Sequence, residues 1–351
     1  MGGVPWSSTH AELHRLLRGA PSSPGPRSLL PAQAAVLVAV SGGQDSVCLL
    51  KLLVDLRPKW GWRLRAVHCD HRWRDDSAAN ADFVEGLCDR WRVPCDTVVA
   101  AAHCPTEAAA RQWRYQVFEA VALQSGCTQV ATGHTASDRA ETLLYNLLRG
   151  SGLDGLQALA WQRPLSPDSP IAVVRPLLGL TRQQTGDFCR QFALPLWEDS
   201  TNQDTRYARN RIRLELLPYL REHFNPGVDA TLANTAELLT AEVELLEAMA
   251  GDLYGVVVAG GDGGDRGEGW QILRSPLSLA PLALQRRVLR RVLRQIMVAQ
   301  VRFEHVEKLV ALLSAPQGSQ SDPFPGQWVA VVEGDWLVLR PQNDVSVNPS
   351  S

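Results

Sequence analysis

From Ala35 onward the chain alternates short apolar runs with longer segments whose apolar residues recur at helical spacing. AVLVAV, WRLRAVHCD, CDTVVAA, TQVATGH and IAVVRPL read as strands. SVCLLKLLVDL, SAANADFVEGLCDRW, TEAAARQWRYQVFEAVALQSG, SDRAETLLYNLLRG and TRQQTGDFCRQFAL read as helices, with Ser77, Thr106 and Thr181 at N-cap positions. This alternation constrains the fold more than any other feature. Strands joined by helical crossovers lie parallel, with helices on both faces, so the class is α/β. Ligands of such sheets bind beyond the C-terminal strand ends. SGGQDS, HCDHRWR and GHTASDRAET all fall there.

After about Pro226 the pattern changes. DATLANTAELLTAEVELLEAMAGDLYGVV is one long helical stretch, and GGDGGDRGEG is a polar loop. Two helical segments follow, then QWVAVVEGDWLVLR, a hairpin turning at Glu333–Gly334 or Gly334–Asp335. The expected organisation is an N-terminal extension over 1–34 and a nucleotide-binding domain over 35–226. A helical linker with a small α+β C-terminal domain then occupies 227–345, ending in a frayed tail.

The chain has 351 residues, 45% hydrophobic and 21% charged, an ordinary globular balance. No apolar run approaches the ~20 residues of a membrane helix, and the N-terminus has no signal-peptide pattern. Seven cysteines without a CxxC pair suit a reducing compartment, so a cytoplasmic protein is expected. His68, Cys69, Asp70, His71, His103 and Cys104 do not have the spacing of a structural zinc site. Net charge is −2, so no global field announces a polyanionic partner. Local arginine clusters do exist, at Arg206 to Arg213 and Gln285 to Arg294.

Ser41-Gly42-Gly43-Gln44-Asp45-Ser46 joins the first strand of the series to its helix. Glycines admit positive φ and let an anion reach backbone N–H groups, and the helix adds its positive end. Ser41 and Ser46 bring hydroxyls. The segment therefore reads as a socket for phosphate or pyrophosphate. It has neither the Walker lysine nor the G-x-G-x-x-G spacing. A carboxylate beside an anion socket is repulsive unless a cation intervenes, so Asp45 reads as a Mg²⁺ contact. Capping of the helix is its alternative role.

SGGQDS after a strand resembles the pyrophosphate loop of the N-type ATP pyrophosphatases, which cleave ATP between the α- and β-phosphates. ATGHTASDRAETLLYNLLRGSGLDGLQAL (Ala131 to Leu159) resembles the second signature of the tRNA(Ile)-lysidine synthetase family. The segment Arg175 to Leu220 is similar to that family's third block. It runs from an RPLL turn through Asp199-Ser200-Thr201-Asn202 to Arg206, Arg209, Asn210 and Arg213. EAAARQWRY matches as well, and His71 and Arg74 match an H-x-L-R element. The resemblance is strong over about 35–225 and weaker over 270–340. Where the family reads G-H-H-x-D-D-Q-x-E-T, Thr135, Ser137 and Arg139 replace the second His, the first Asp and the Gln.

The resemblance implies a Rossmann-like sheet with a PP-loop, and a carbon–nitrogen ligase using ATP and Mg²⁺. Its partners would be free L-lysine and an isoleucine tRNA with a CAU anticodon, with no membrane and with a homodimer among the possible assemblies. ATP adenylates the 2-position oxygen of the wobble cytidine, pyrophosphate leaves, and the lysine ε-amine displaces AMP.

Site roles follow. Ser41, Gly42, Gly43, Gln44, Asp45 and Ser46 would hold the phosphates. His134, Asp138 and Glu141, at i, i+4 and i+7, would share a helical face that binds metal or lysine and accepts a proton. Acids attracted to a helix N-terminus are the simpler explanation. Arg111 and Arg114 would face the active site or the tRNA, or lie along the surface. Arg206, Arg209 and Arg213 would form a stripe with Asn210 beside it. Arg209 would steady charge on the α-phosphate, unless the cluster only contacts tRNA backbone. Arg286, Arg287, Arg290, Arg291 and Arg294 would be a tRNA footprint or a solvated face. Two alternatives remain. A tRNA thiolase would call for a catalytic cysteine pair or a CxxC set. A non-enzymatic regulator would not need Asp45, the His134–Glu141 group or the arginines.

Overall fold

The computed structural model describes residues 6–19, 29–72, 76–101, 106–197, 205–260 and 269–342. Arg74, His103, Cys104 and the run Asp199 to Asn202 lie outside them, as do most of the polar loop and the tail expected to fray. The chain forms two compact units, Met1–Thr240 and Ala241–Ser351.

The first unit opens with α1 (Ser8–Arg18), β1 (Ala35–Ala39), α2 (Gln44–Trp60), β2 (Arg63–Asp70), α3 (Ser77–Arg90) and β3 (Cys95–Val99). It continues with α4 (Glu107–Ser125), β4 (Gln129–Ala131), α5 (Ala136–Leu148), α6 (Leu153–Leu156), β5 (Gln162–Pro164), β6 (Ala172–Val174) and α7 (Arg182–Gln191). Then come α8 (Ala208–Arg211), a π-helical turn (Ile212–Leu216), α9 (Leu217–His223) and the start of α10 (Val228–Val257). The six strands lie in the order β3-β2-β1-β4-β6-β5. All pair in parallel except β5, which runs against β6. The sequence pattern does not announce β5, because a three-residue strand ending in proline carries no period.

Alternate residues of β1 serve opposite faces. Val36 and Val38 enter one core with α2 and α7, while Ala35 and Leu37 enter another with Val117, Phe118 and Val121 of α4. The chain leaves β1 toward β2 and β3, then returns on the other side of β1 as β4. That reversal opens a crevice beyond the C-terminal ends of β1 and β4.

Helix ends follow side-chain chemistry. Thr106 and Thr181 cap α4 and α7 as expected, and Gly126 ends α4 in the left-handed conformation. Ser77 does not cap α3. It is the first helical residue, Asp76 takes the cap position, and no side chain bonds the cap there. The described part of the N-terminal segment packs onto the core of this unit. Leu13, Leu17, Leu29 and Leu30 are buried in the same core as Val36 and Leu49. The two units part inside α10, later than the expected boundary near Pro226.

In the second unit the rest of α10 leads to β7 (Val258–Ala259), β8 (Trp270–Leu273), α11 (Arg274–Leu279), α12 (Leu282–Ile296) and α13 (Phe303–Leu312). β9 (Trp328–Glu333) and β10 (Trp336–Pro341) complete an antiparallel sheet of order β7-β8-β10-β9. Glu333 pairs with Trp336, so the hairpin turns at Gly334–Asp335, the second of the two expected positions. The apolar face of α12 is buried through Val288, Leu289, Val292 and Leu293. Arg286 pairs with Glu307 at 2.7 Å, and Arg287 pairs with Glu247. Those two arginines are engaged by acids of their own unit rather than presented as an open cationic row.

No described helix is long and apolar enough to cross a membrane.

Candidate active site

The loop after β1 and the segment after β4 meet at the switch point of the sheet. Gly42 takes φ +86, and a Cβ there would lie 2.7 Å from Asn80 Nδ2 and 3.0 Å from Trp197 Cβ. The Asn80 amide donates to the Ser41 carbonyl at 3.3 Å, and the Trp197 N–H donates to the Gly42 carbonyl at 3.0 Å. Helix α2 starts after Gly43 with no side-chain cap. Its first N–H groups are left for a ligand or water.

Two expected phosphate donors are used inside the protein. The Ser46 hydroxyl donates to the Gly43 carbonyl at 2.9 Å and accepts from the Ser41 N–H at 3.2 Å, so it braces the loop. The Gln44 amide donates to the Arg182 carbonyl at 2.7 Å and to Thr185 Oγ1 at 2.9 Å. Gln44 thus fastens the loop to α7, in space left by Gly186. Ser41 and the glycines remain the side of the loop suited to an anion.

Asp45 does not cap α2. Its Oδ1 accepts from the Thr185 hydroxyl at 2.5 Å, and its Oδ2 faces Arg182 Nη1 at 3.7 Å. Burial pushes its carboxyl above the usual range; Arg182 opposes this and the charge of nearby Asp138 adds to it. Thr185 and Arg182 escaped sequence reasoning. A threonine and an arginine on an amphipathic helix carry no local sign of an aspartate some 140 residues earlier.

Gly133 brings the two segments together. A Cβ on it would lie 2.9 Å from the Asp45 carbonyl carbon and 3.0 Å from the Ser46 nitrogen. Only glycine lets the β4–α5 connection rest on the first turn of α2.

His134, Asp138 and Glu141 do not share a helical face. His134 precedes the N-cap Thr135 and lies outside α5, with its Nδ1 2.9 Å from the Thr132 hydroxyl. Asp138 completes a capping box, accepting from the Thr135 N–H and hydroxyl, each at 2.8 Å. The dipole explanation thus holds for Asp138, but it does not exhaust its role. Arg213 Nη2 donates to the other Asp138 oxygen at 3.1 Å, and also to Glu141 Oε2 at 2.8 Å. Arg213 Nε donates to Glu141 Oε1 at 2.6 Å, so Glu141 is gripped by both prongs. Burial works against the Arg213 charge, but the Glu141 hydrogen bonds and the neighbouring carboxylates outweigh it and hold the guanidinium above its ordinary range.

The three departures from the family signature have local explanations. Thr135 is the cap. The Ser137 hydroxyl accepts from the Arg182 N–H at 3.1 Å. Arg139, 2% exposed, turns away from the crevice and pairs with Glu237 at 2.5 Å.

The expected arginines separate. Arg114 is no surface snorkel, since burial lowers its guanidinium below the usual range. Arg111 lies 5.5 Å from the Tyr115 ring, which Arg163 also approaches. Arg206 lies in the turn before α8, so Arg206, Arg209 and Arg213 do not form one helical stripe. Arg213 points into the carboxylates, whereas Arg209 meets Glu107 at 3.8 Å and the Tyr145 ring at 5.6 Å. Asn210 lies on α8 between them. Buried Arg175, unassigned from sequence, donates to the Ala160 carbonyl at 2.6 Å.

Burial, with Arg175, Arg111 and Arg114 nearby, lowers the His134 imidazole to about 4, against the pull of Asp138. His134 is therefore neutral at pH 7. Between pH 6.5 and about 4 the unfolded chain takes a proton that the folded chain refuses. Stability should fall by up to roughly 1.4 kcal/mol per pH unit across that window. Urea titrations of wild type and His134→Gln should show a shallower decline in the variant; equal slopes would disprove the assignment.

Comparison with known proteins agrees with this geometry. Residues 19–220 match the family model described as the PP-loop domain. A Nostoc sp. protein named tRNA(Ile)-lysidine synthase is 53% identical over 346 residues, covering 95% of this chain and 97% of that one. A Synechococcus sp. protein of the same name is 49% identical over 339 residues, covering 97% and 98%. The chloroplastic tRNA(Ile)-lysidine synthase of Zygnema circumcarinatum is 34% identical, covering 81% of this chain and 76% of that one. Among solved structures, the U34-tRNA thiolase NcsA from Methanococcus maripaludis, with its 4Fe-4S cluster, superposes with a TM-score of 0.53 at 17% identity. It covers 66% of this chain and 78% of its own, which shows a shared fold. With a PP-loop at the sheet's switch point and full-length relatives of one name, the chain belongs to the tRNA(Ile)-lysidine synthase family of PP-loop ligases.

Proposed function

We propose that this chain, working in the cytoplasm, joins L-lysine to the wobble cytidine of an isoleucine tRNA with a CAU anticodon. The observation that carries this reading is the meeting of an uncapped, glycine-bordered helix start with the Asp45, Asp138, Glu141 and Arg213 cluster at one switch point.

In the first half-reaction the cytidine 2-oxygen bonds to the α-phosphorus of ATP, and the bond to the β-phosphate bridging oxygen breaks. Pyrophosphate leaves along the loop of Ser41, Gly42 and Gly43. In the second, the neutral lysine ε-amine bonds to the cytidine 2-carbon and AMP departs with the oxygen. Asp138 and Glu141 supply negative charge for the incoming ammonium and a proton acceptor. Arg213 orients them as a positioning residue. His134 stays neutral beside the site, chiefly through burial, with the charges of Arg175, Arg111 and Arg114 adding to it.

Asp45 lies near enough to Asp138 for that neighbouring charge to push its own carboxyl up. No described group of three metal-ligating side chains accompanies them. A pair of carboxylates without a cage suits Mg²⁺, which takes its remaining ligands from substrate phosphates and water. When bound, the ion would offset phosphate charge beside Asp45 and Asp138.

The absence of any CxxC pair in the sequence disfavours a thiolase. The test is incubation with ATP, Mg²⁺, labelled lysine and tRNA bearing CAU or another anticodon. Label should enter only the CAU isoleucine tRNA, with pyrophosphate released in step. Neither label nor pyrophosphate would reject the reading.

A further inference from the structure

On the first unit a groove of about 620 Å³ lies between α5 and the π-helical turn, bordered by Tyr145, Leu148, Arg149, Arg211, Ile212 and Tyr219. Its walls combine aromatic faces with guanidinium groups. The Arg149 and Arg209 guanidiniums lie 5.2 and 5.6 Å from the Tyr145 ring centre, and Arg149 Nη1 donates to the Tyr145 hydroxyl at 3.0 Å. Leu148 is 70% exposed and Tyr219 54% exposed, so apolar surface is left open there. Among the charged groups lining the groove, Arg149 and Arg211 outnumber Glu215. A cationic, aromatic, open groove suits an unstacked nucleotide, whose base has an apolar face and whose phosphate is an anion.

The groove shares its walls with the reaction cluster. Helix α5 carries Glu141 toward Arg213 and, one turn later, Tyr145 toward the groove. Four residues of helix advance about 6 Å. The π-helical turn divides in the same way: Arg213 reaches the carboxylates while Ile212, Glu215 and Leu216 line the groove. Such widened turns recur at functional sites.

We propose that this groove holds an unpaired anticodon-loop nucleotide flanking the wobble cytidine. Its base takes the place beside the Tyr145 ring that the exposed Arg149 guanidinium now occupies, and the released Arg149, with Arg211, holds its phosphate. The inference rests on the tRNA reading above and adds a specific subsite to it. A second copy of the chain could also cover exposed leucine and tyrosine, but the surplus of arginine at the rim favours RNA.

The test uses the full chain and a synthetic anticodon stem–loop carrying 2-aminopurine at each unpaired flanking position in turn. One position should lose fluorescence on binding to wild type and to Tyr145→Phe, and keep it with Tyr145→Ala. Tyr145→Ala should bind the RNA roughly tenfold more weakly, while ATP binding is unchanged. Arg149→Ala should lower the slope of log affinity against log salt. Thermal unfolding of each variant confirms that it is folded, and the phenylalanine variant reports on stacking without loss of the ring.

Quenching that ignores Tyr145, or unchanged affinity in Tyr145→Ala, overturns the subsite. So does a dimer that Leu148→Glu converts to monomer with RNA binding intact, since the groove would then belong to a second copy. Lysine transfer by wild type is scored separately. Its absence counts against the proposed reaction, while quenching through Tyr145 reports on the groove alone.

Discussion

Arg213→Ala should destabilise the first unit by about 3–5 kcal/mol, the usual cost of leaving one partner of a buried ion pair uncompensated. The Glu141 side chain is 6% exposed and both its oxygens accept from Arg213. Without the guanidinium that carboxylate must either stay ionised, buried beside Asp138, or take up a proton. Urea denaturation measures the loss directly. Arg213→Lys keeps the charge but not the planar fork, so it should recover only part of it. The pair Arg213→Met with Glu141→Leu should regain most of the stability while lysine transfer stays lost. That contrast separates the structural contribution of the cluster from its chemistry. A single alanine variant as stable as wild type would overturn the description of Glu141 as a buried, arginine-dependent charge.

Gly133→Ala should reduce ATP-dependent pyrophosphate release by about a hundredfold or more. The added methyl would sit 2.9 Å from the Asp45 carbonyl carbon and 3.0 Å from the Ser46 nitrogen, both backbone atoms at the start of α2. Neither can rotate away as a flexible side chain would, so the loop must move relative to β4. A displacement of about 1 Å at a reacting site commonly costs that order of rate. Gly86→Ala is the matched control. Nothing lies within 4 Å of its added methyl, and it sits within α3. It should match wild type in rate and gain slightly in stability. Equal rates for the two variants would show that contact between the β4–α5 connection and α2 is not needed.

The sheet was legible because its information is local. Period, cap and glycine place β1 to β4, α4 and α7 without reference to distant parts of the chain. The site was legible only in its composition. SGGQDS announces an anion socket, but Ser46 and Gln44 turn inward, and only the packed α7 reveals why. Reading His134, Asp138 and Glu141 as one helical stripe assumed that the helix began before His134. Thr135 stops it there by capping. Arg213 was marked as a cation, yet its partners lie more than seventy residues earlier, and the π-helical turn that aims it leaves no spacing signal of its own. Gly133 stands in a plain G-H dipeptide. Its importance is a distance between two backbones, which no one-dimensional pattern holds.

The burial of α1 has a consequence for synthesis on the ribosome. The His10 ring packs 5.2 Å from Phe188 and 5.6 Å from Phe192. Leu13 and Leu17 share a core with Leu177, Leu180 and Cys189. α1 therefore waits for its partners in α7, which are made about 180 residues after it. At roughly 5–20 residues per second, that interval is on the order of ten to forty seconds. For that time α1 has α2 to pack on, through His10 with Asp55 and His14 with Trp60, while the side that meets Phe188 and Phe192 stays open. The core around α1 therefore does not close in N-to-C order; closure arrives with α7, when that helix packs against both α1 and α2.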